Sequence, residues 1–244
     1  MREKNINKVL KEVDDTLLVI GESYMEAAKD DKIKEVVEVK VKNTIENLRS
    51  CLDYILHDID ECILRNHRKV LYFPYKDTKN DFKQEVKIKF KGLRNKSPQI
   101  YSILESIQDF NNKDNPWLGV LCRKTNKVKH DDLLEQERKD YYSSYLPDLG
   151  MEINDNAKVI FKSSKMRDKN GDLIPLDFTV NSKGVVDSKG PIDKRITIEN
   201  ISWVTFTING TNQDVLEFLT HCRNEMGEMM RKVYEQIKKN KCNR

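Results

Sequence analysis

The run Ser202-Trp203-Val204-Thr205-Phe206-Thr207-Ile208, closed by Asn209-Gly210-Thr211, decides the fold class together with the helix-forming segment after it. Its β-branched and aromatic residues read as a strand, and the Asn-Gly pair reads as the turn that ends it. Thr211 and Asp214 then open an amphipathic helix, in which Val215, Leu219, Cys222, Met226, Met229, Val233 and Ile237 recur at spacings of three and four. Methionines in such a stripe are core or partner-helix contacts. A strand, a turn and a long helix in direct succession point to an α+β chain.

Working outward, two more apolar runs precede this strand, Lys158-Val159-Ile160-Phe161 and Ile174-Pro175-Leu176-Asp177-Phe178-Thr179-Val180. The turn signals Asn170-Gly171, Lys183-Gly184 and Lys189-Gly190-Pro191 separate them, so a small antiparallel sheet is predicted over 145–210. Asp168-Lys169-Asn170-Gly171-Asp172 superficially matches a calcium loop. Its glycine is fourth where that loop needs it sixth, and no glutamate closes it, so it reads as a hairpin turn.

The first half reads as helical. Ile6, Val9, Val13, Leu17, Ile20 and Tyr24 form one stripe over 5–29. A second stripe, from Val37 through Ile45, Leu52 and Ile59 to Ile63, predicts a helix of more than thirty residues beginning near Asp31. Val36 to Val41 also alternates at period two, which leaves a short strand as the other reading of its start. Lys69-Val70-Leu71-Tyr72-Phe73-Pro74 reads as a strand or extended segment, and 81–91 fits either helix or strand. Ser97-Pro98 and Asn115-Pro116 each supply an N-cap and a first-turn proline for a helix, joined by Asn111-Asn112-Lys113-Asp114. The expected architecture is one domain over 1–244: a mainly α-helical bundle at 1–140, a small antiparallel β-sheet inserted at 145–210, and a C-terminal helix at 211–240 packing back on the core.

Composition excludes several classes. The 244 residues are 38% hydrophobic and 34% charged, a soluble globular balance. No apolar run reaches a membrane span and no signal-peptide core follows Met1, so a cytoplasmic, membrane-free protein is expected. The net charge of +4 arises from 44 basic and 40 acidic residues, interleaved apart from local basic clusters at 83–91 and 123–129. Five cysteines without a C-x-x-C pair read as reduced thiols rather than zinc ligands or disulfides. Dinucleotide, P-loop, hydrolase-elbow and zincin motifs are missing. No cofactor and no metal is expected.

Two polar constellations remain. On the second helix Arg49, Asp53 and His57 stand four residues apart, so Asp53 can pair with Arg49 and orient His57. In Trp117-Leu118-Gly119-Val120-Leu121-Cys122-Arg123-Lys124-Thr125-Asn126-Lys127-Val128-Lys129-His130, a helix places Arg123, Asn126 and His130 on one face. Arg123 and His130 differ by about 700°, close to two turns, and stand roughly 10 Å apart along the axis. Spacing alone carries little weight in a chain this basic.

Order carries more. Asn47-Leu48-Arg49-Ser50-Cys51-Leu52-Asp53-Tyr54, Tyr72-Phe73-Pro74, Ile107-Gln108, and Trp117-Leu118 leading to Asn126-Lys127-Val128-Lys129-His130 resemble, in the same order, a group of bacterial proteins of uncharacterised function. That group is similar to the HEPN superfamily, helical domains associated with RNA cleavage, toxins and phage defence. The resemblance covers 1–134. It implies a homodimeric, metal-independent endoribonuclease or toxin-type effector, in which an R-x(4–6)-H motif converges from two protomers. Arg123 and His130 match at the long limit, although Lys124 stands where the family has a polar residue after the arginine. It further implies that His130 takes the proton of an RNA 2′-hydroxyl or protonates the leaving oxygen, Arg123 holds the phosphate and Asn126 orients the histidine or the sugar. Lys127 and Lys129 would attract the backbone, and Arg49 and Asp53 would line the cleft or fix its geometry. A protein partner from a defence or toxin–antitoxin system is implied as well. The competing reading is a non-catalytic helical interaction or sensor module, in which Arg49, Asp53, Asn126 and His130 form a structural hydrogen-bond network.

Overall fold

The computed structural model describes residues 1–130, 135–154, 157–168 and 170–242, with side chains throughout except at 127–130 and 241–242. Two compact units result: Met1–Ser23 with Glu35–Glu137 and Phe206–Arg244, and Tyr24–Lys34 with Arg138–Thr205. The mixed helix and antiparallel-strand content expected from the sequence is present.

The first unit is helical. Helix α1 (Glu3–Ala27) buries Ile6, Val13 and Ile20, and α2 (Glu38–Ile59) buries Val41, Ile45, Leu48, Leu52, Ile55 and Ile59. Each such side chain contributes roughly 1.5–3 kcal/mol relative to exposure. Helix α2 starts at Glu38 rather than near Asp31, because Val37 sits in the left-handed region at φ 30° and breaks the stripe. No strand forms at 36–41, where Val36 and Val41 are buried but Val39 is exposed. One π-helical turn, Asp60–Leu64, prolongs α2.

Helix α3 (Lys79–Lys89) resolves the ambiguous stretch. Phe82, Val86 and Phe90, four residues apart, are buried, while Ile88 is 76% exposed. Helices α4 (Leu93–Lys96) and α5 (Pro98–Ser106) follow, then a 3-10 turn at Asp109–Asn111 and α6 (Leu118–His130). The last helix, α7 (Val215–Cys242), starts at its cap Asp214, whose Oδ1 accepts from the amides of Leu216 and Glu217. It packs on α2 and α5. Its Tyr234 hydroxyl donates at 2.6 Å to fully buried Asp58 of α2, which also accepts from the Arg2 guanidinium at 2.8 Å.

Among the described residues, eight strands form three small antiparallel sheets where one was expected. They are β1 (Gln136–Leu146), β2 (Met151–Asn154), β3 (Lys158–Ile160), β4 (Ser164–Arg167), β5 (Leu173–Leu176), β6 (Phe178–Asn181), β7 (Val186–Ser188) and β8 (Glu199–Ile208). The orders are β2-β1-β8, β3-β6-β7 and β4-β5. Strand β1 starts inside the stretch expected to be helical, since Gln136-Glu137-Arg138-Lys139-Asp140 is too polar to announce a strand. Leu146, Ile153, Ile174, Leu176, Phe178 and Val180 form the core of the second unit. The turn after Asp168 does close a hairpin: Arg167 pairs with Leu173, Asp168 Oδ1 accepts from the Asn170 and Asp172 amides, and Gly171 has φ 89°. No described helix is long and apolar enough to cross a membrane.

Candidate functional site

The motif-bearing segments meet in the helical unit around residues 70–77, an extended stretch that forms no strand. Alternation along it buries Leu71 and Phe73 and leaves Val70 and Tyr72 68% and 67% exposed. Polar side chains from two directions, Asp53 and Gln108, then fix its backbone, and Arg123 reaches the side chain of Asp77. Asp53 stands one helical turn after Arg49, and the Arg49 guanidinium donates to its Oδ1 at 2.8 Å. The same oxygen accepts from the Phe73 amide at 3.2 Å. Arg49 is buried, so this pair sits under the segment rather than in an open cleft.

Gln108, at the end of α5, is fully buried. Its Nε2 donates to the carbonyls of Pro74 and Leu104 at 3.0 Å each, and its Oε1 accepts from the Lys76 amide at 3.1 Å. Pro74 has no N–H to offer, so its carbonyl is the group a side chain can hold. Lys76 reaches Glu85 of α3 at 2.6 Å. Finally, Arg123 of α6 donates to Asp77 at 3.3 Å, an exposed pair that contributes little by itself.

The cap of α6 is Asp109, not Asn115. Its carboxylate accepts from the amides of Trp117, Leu118 and Gly119 at 3.1, 3.0 and 2.9 Å, three donors that the first turn leaves without helical partners. Gly119 is needed there: a Cβ would stand 2.5 Å from Asp109 Oδ2 and 2.9 Å from an Arg123 nitrogen. Arg123 therefore folds back over the first turn of its own helix, toward Asp77 and away from the end that carries His130. Asn126 is exposed, and its side chain makes no hydrogen bond to another described residue. The side chains of Lys127, Lys129 and His130 lie outside the described residues. His57 is not oriented by Asp53; it lies near Glu61, whose carboxyl is held below its usual range mainly by the Arg2 hydrogen bond.

Cys122 lies beside Arg49 and Asp53, yet burial pushes its thiol up to about 12, as it does that of Cys51. Both are neutral at physiological pH and poor nucleophiles. Cys51, Cys62, Cys122 and Cys222 are all free. Among the described residues no group of three His, Cys, Asp or Glu is placed to hold a metal ion. No family model, curated protein or solved structure matches the chain. Nothing in the sequence singles out Asp77 or Asp109, and Gln108 stands out there only as part of a motif. Their partners lie up to 46 residues away, beyond the reach of local capping or pairing rules.

Proposed function

We propose that the helical unit is a non-catalytic interaction module, with the motif residues as scaffold and segment 70–77 as the part presented. The observation that carries this reading is convergence. Arg49 with Asp53, Gln108, and Arg123 come from α2, the end of α5 and α6, and all engage residues 73–77. Polar groups matched in this way, buried at Arg49 and Gln108, specify one backbone path for residues 73–76. Arg123 is drawn toward Asp77 in an exposed pair and folds back over the first turn of α6, away from the end that carries His130. What the scaffold leaves outward is Val70 and Tyr72, next to the held residues, and an exposed tyrosine offers a protein partner a large contact area.

A second reading keeps the sequence expectation: a homodimeric, metal-independent endoribonuclease of a toxin or phage-defence type. It draws on α6, where Arg123 and Asn126 are exposed and the helical backbone carries His130 two turns beyond Arg123. Arg123 would then have to leave Asp77, and His130 of a second copy would complete the site.

Incubating the full chain and its His130→Ala variant with RNA in a chelator, alongside thermal melts, separates the two. The interaction reading predicts intact RNA with both proteins. Cleavage by the parent that disappears in the variant at unchanged melting temperature establishes the nuclease and ends the interaction reading.

A further inference from the structure

The basic cluster at 83–91 forms a site of its own. Lys83 and Lys87 stand one turn apart on α3, Lys91 continues the row just past the helix end, and Arg94 faces them from α4. Together they line a cavity of about 300 Å³, into which the tight turn at Gly92 (φ 86°) returns the chain. Its floor is apolar: Phe90 and Tyr101, 1% and 8% exposed, with the Arg94 guanidinium over the Tyr101 ring at 5.6 Å.

Among the described residues no carboxylate lines the cavity. The nearby acids are engaged elsewhere. Glu85 pairs with Lys76 and Lys89, Asp81 bonds Thr78, and Glu105 takes the Tyr101 hydroxyl and Lys79. Among the described residues Lys83, Lys87, Lys91 and Arg94 form no ion pair. Lysines four apart repel and weaken their helix, a penalty that an anion seated between them removes.

We propose that this cavity binds a small phosphorylated ligand. Its phosphate lies among Lys83, Lys87, Lys91 and Arg94, and its apolar body lies against the lysine methylenes and the exposed edge of Tyr101. Compact ammonium groups and one guanidinium suit a phosphate, and a cavity of this size suits a small molecule over a passing nucleic-acid strand. The site shares no residue with segment 70–77, so it stands whichever reading of that segment holds.

Calorimetric titration of the full chain with phenyl phosphate, inorganic phosphate and phenol tests it. Phenyl phosphate should bind at least ~10-fold tighter than either fragment, and the Lys83→Ala/Lys87→Ala double variant should lose ~10-fold or more while keeping its melting temperature. Equal binding of phenol and phenyl phosphate, or of inorganic and phenyl phosphate, overturns the proposal. So does unchanged affinity in the double variant, absence of binding, or displacement of phenyl phosphate by a ten-nucleotide RNA that binds tighter through the same lysines.

Discussion

Around residues 73–77 the polar side chains that reach the backbone end on protein partners, whereas Lys83, Lys87 and Lys91 carry charge that no described carboxylate answers. Arg49 pairs with Asp53, and Asp53 and Gln108 bond the backbone of residues 73–76. The lysine row lines a cavity with no described carboxylate to balance it. Both regions are rich in the residue types that suggest chemistry. The difference teaches that a motif whose polar groups are already satisfied builds structure, and that unmatched charge over a cavity is the better pointer to a ligand.

Substitutions that break the matched region should cost the most. Asp53→Ala leaves the buried Arg49 charge and the Phe73 amide without their acceptor, and should lower unfolding free energy by about 2–3 kcal/mol in urea titrations. The lower end is expected because Asp53 is itself partly exposed. Gln108→Ala strands the Lys76 amide and the Pro74 carbonyl and should cost about 2 kcal/mol. Asp109→Ala removes the α6 cap, at about 1 kcal/mol.

Acid should act on the link between the two regions, the Lys76–Glu85 pair. Burial raises the Glu85 pKa, but hydrogen bonds and charge from Lys76 and Lys89 outweigh it and hold the carboxyl below its usual range. A depressed folded pKa contributes stability that is present above the unfolded value, near ~4.3, and is lost as pH falls through the folded one. Urea midpoints should therefore drop below about pH 4, and Glu85→Gln should flatten that limb. The smallest effect belongs to the unmatched region: Lys87→Ala should leave stability unchanged or raise it by up to ~0.5 kcal/mol, because it relieves repulsion within the lysine row.

How much of this is legible in the sequence depends on where each signal sits. Stripes at 3.6-residue period announce α1, α2 and α7, because burial of one face is a local pattern. Periodicity misplaces the start of α2 because Val36 to Val41 satisfies two periods at once, and only the left-handed Val37 separates them. At 81–91 the apparent alternation turns on Ile88, which points to solvent although it is as apolar as Val86. Strand β1 gives no signal, since its first five residues are polar and pairing alone makes them a strand. At the site, Arg49 with Asp53 is readable as an i to i+4 pair. That Phe73, Gln108 and Asp77 complete the arrangement is not, because those contacts join residues 20 to 46 apart in the chain.

Amide hydrogen exchange at Phe73 and Lys76 tests most directly whether the motif residues exist to hold this segment. In the parent chain both amides should be protected far beyond an open loop. In Asp53→Ala the Phe73 amide should exchange freely, while the Lys76 amide, held by Gln108, stays slow. Rapid exchange at Phe73 in the parent, or protection unchanged by Asp53→Ala, would contradict the account.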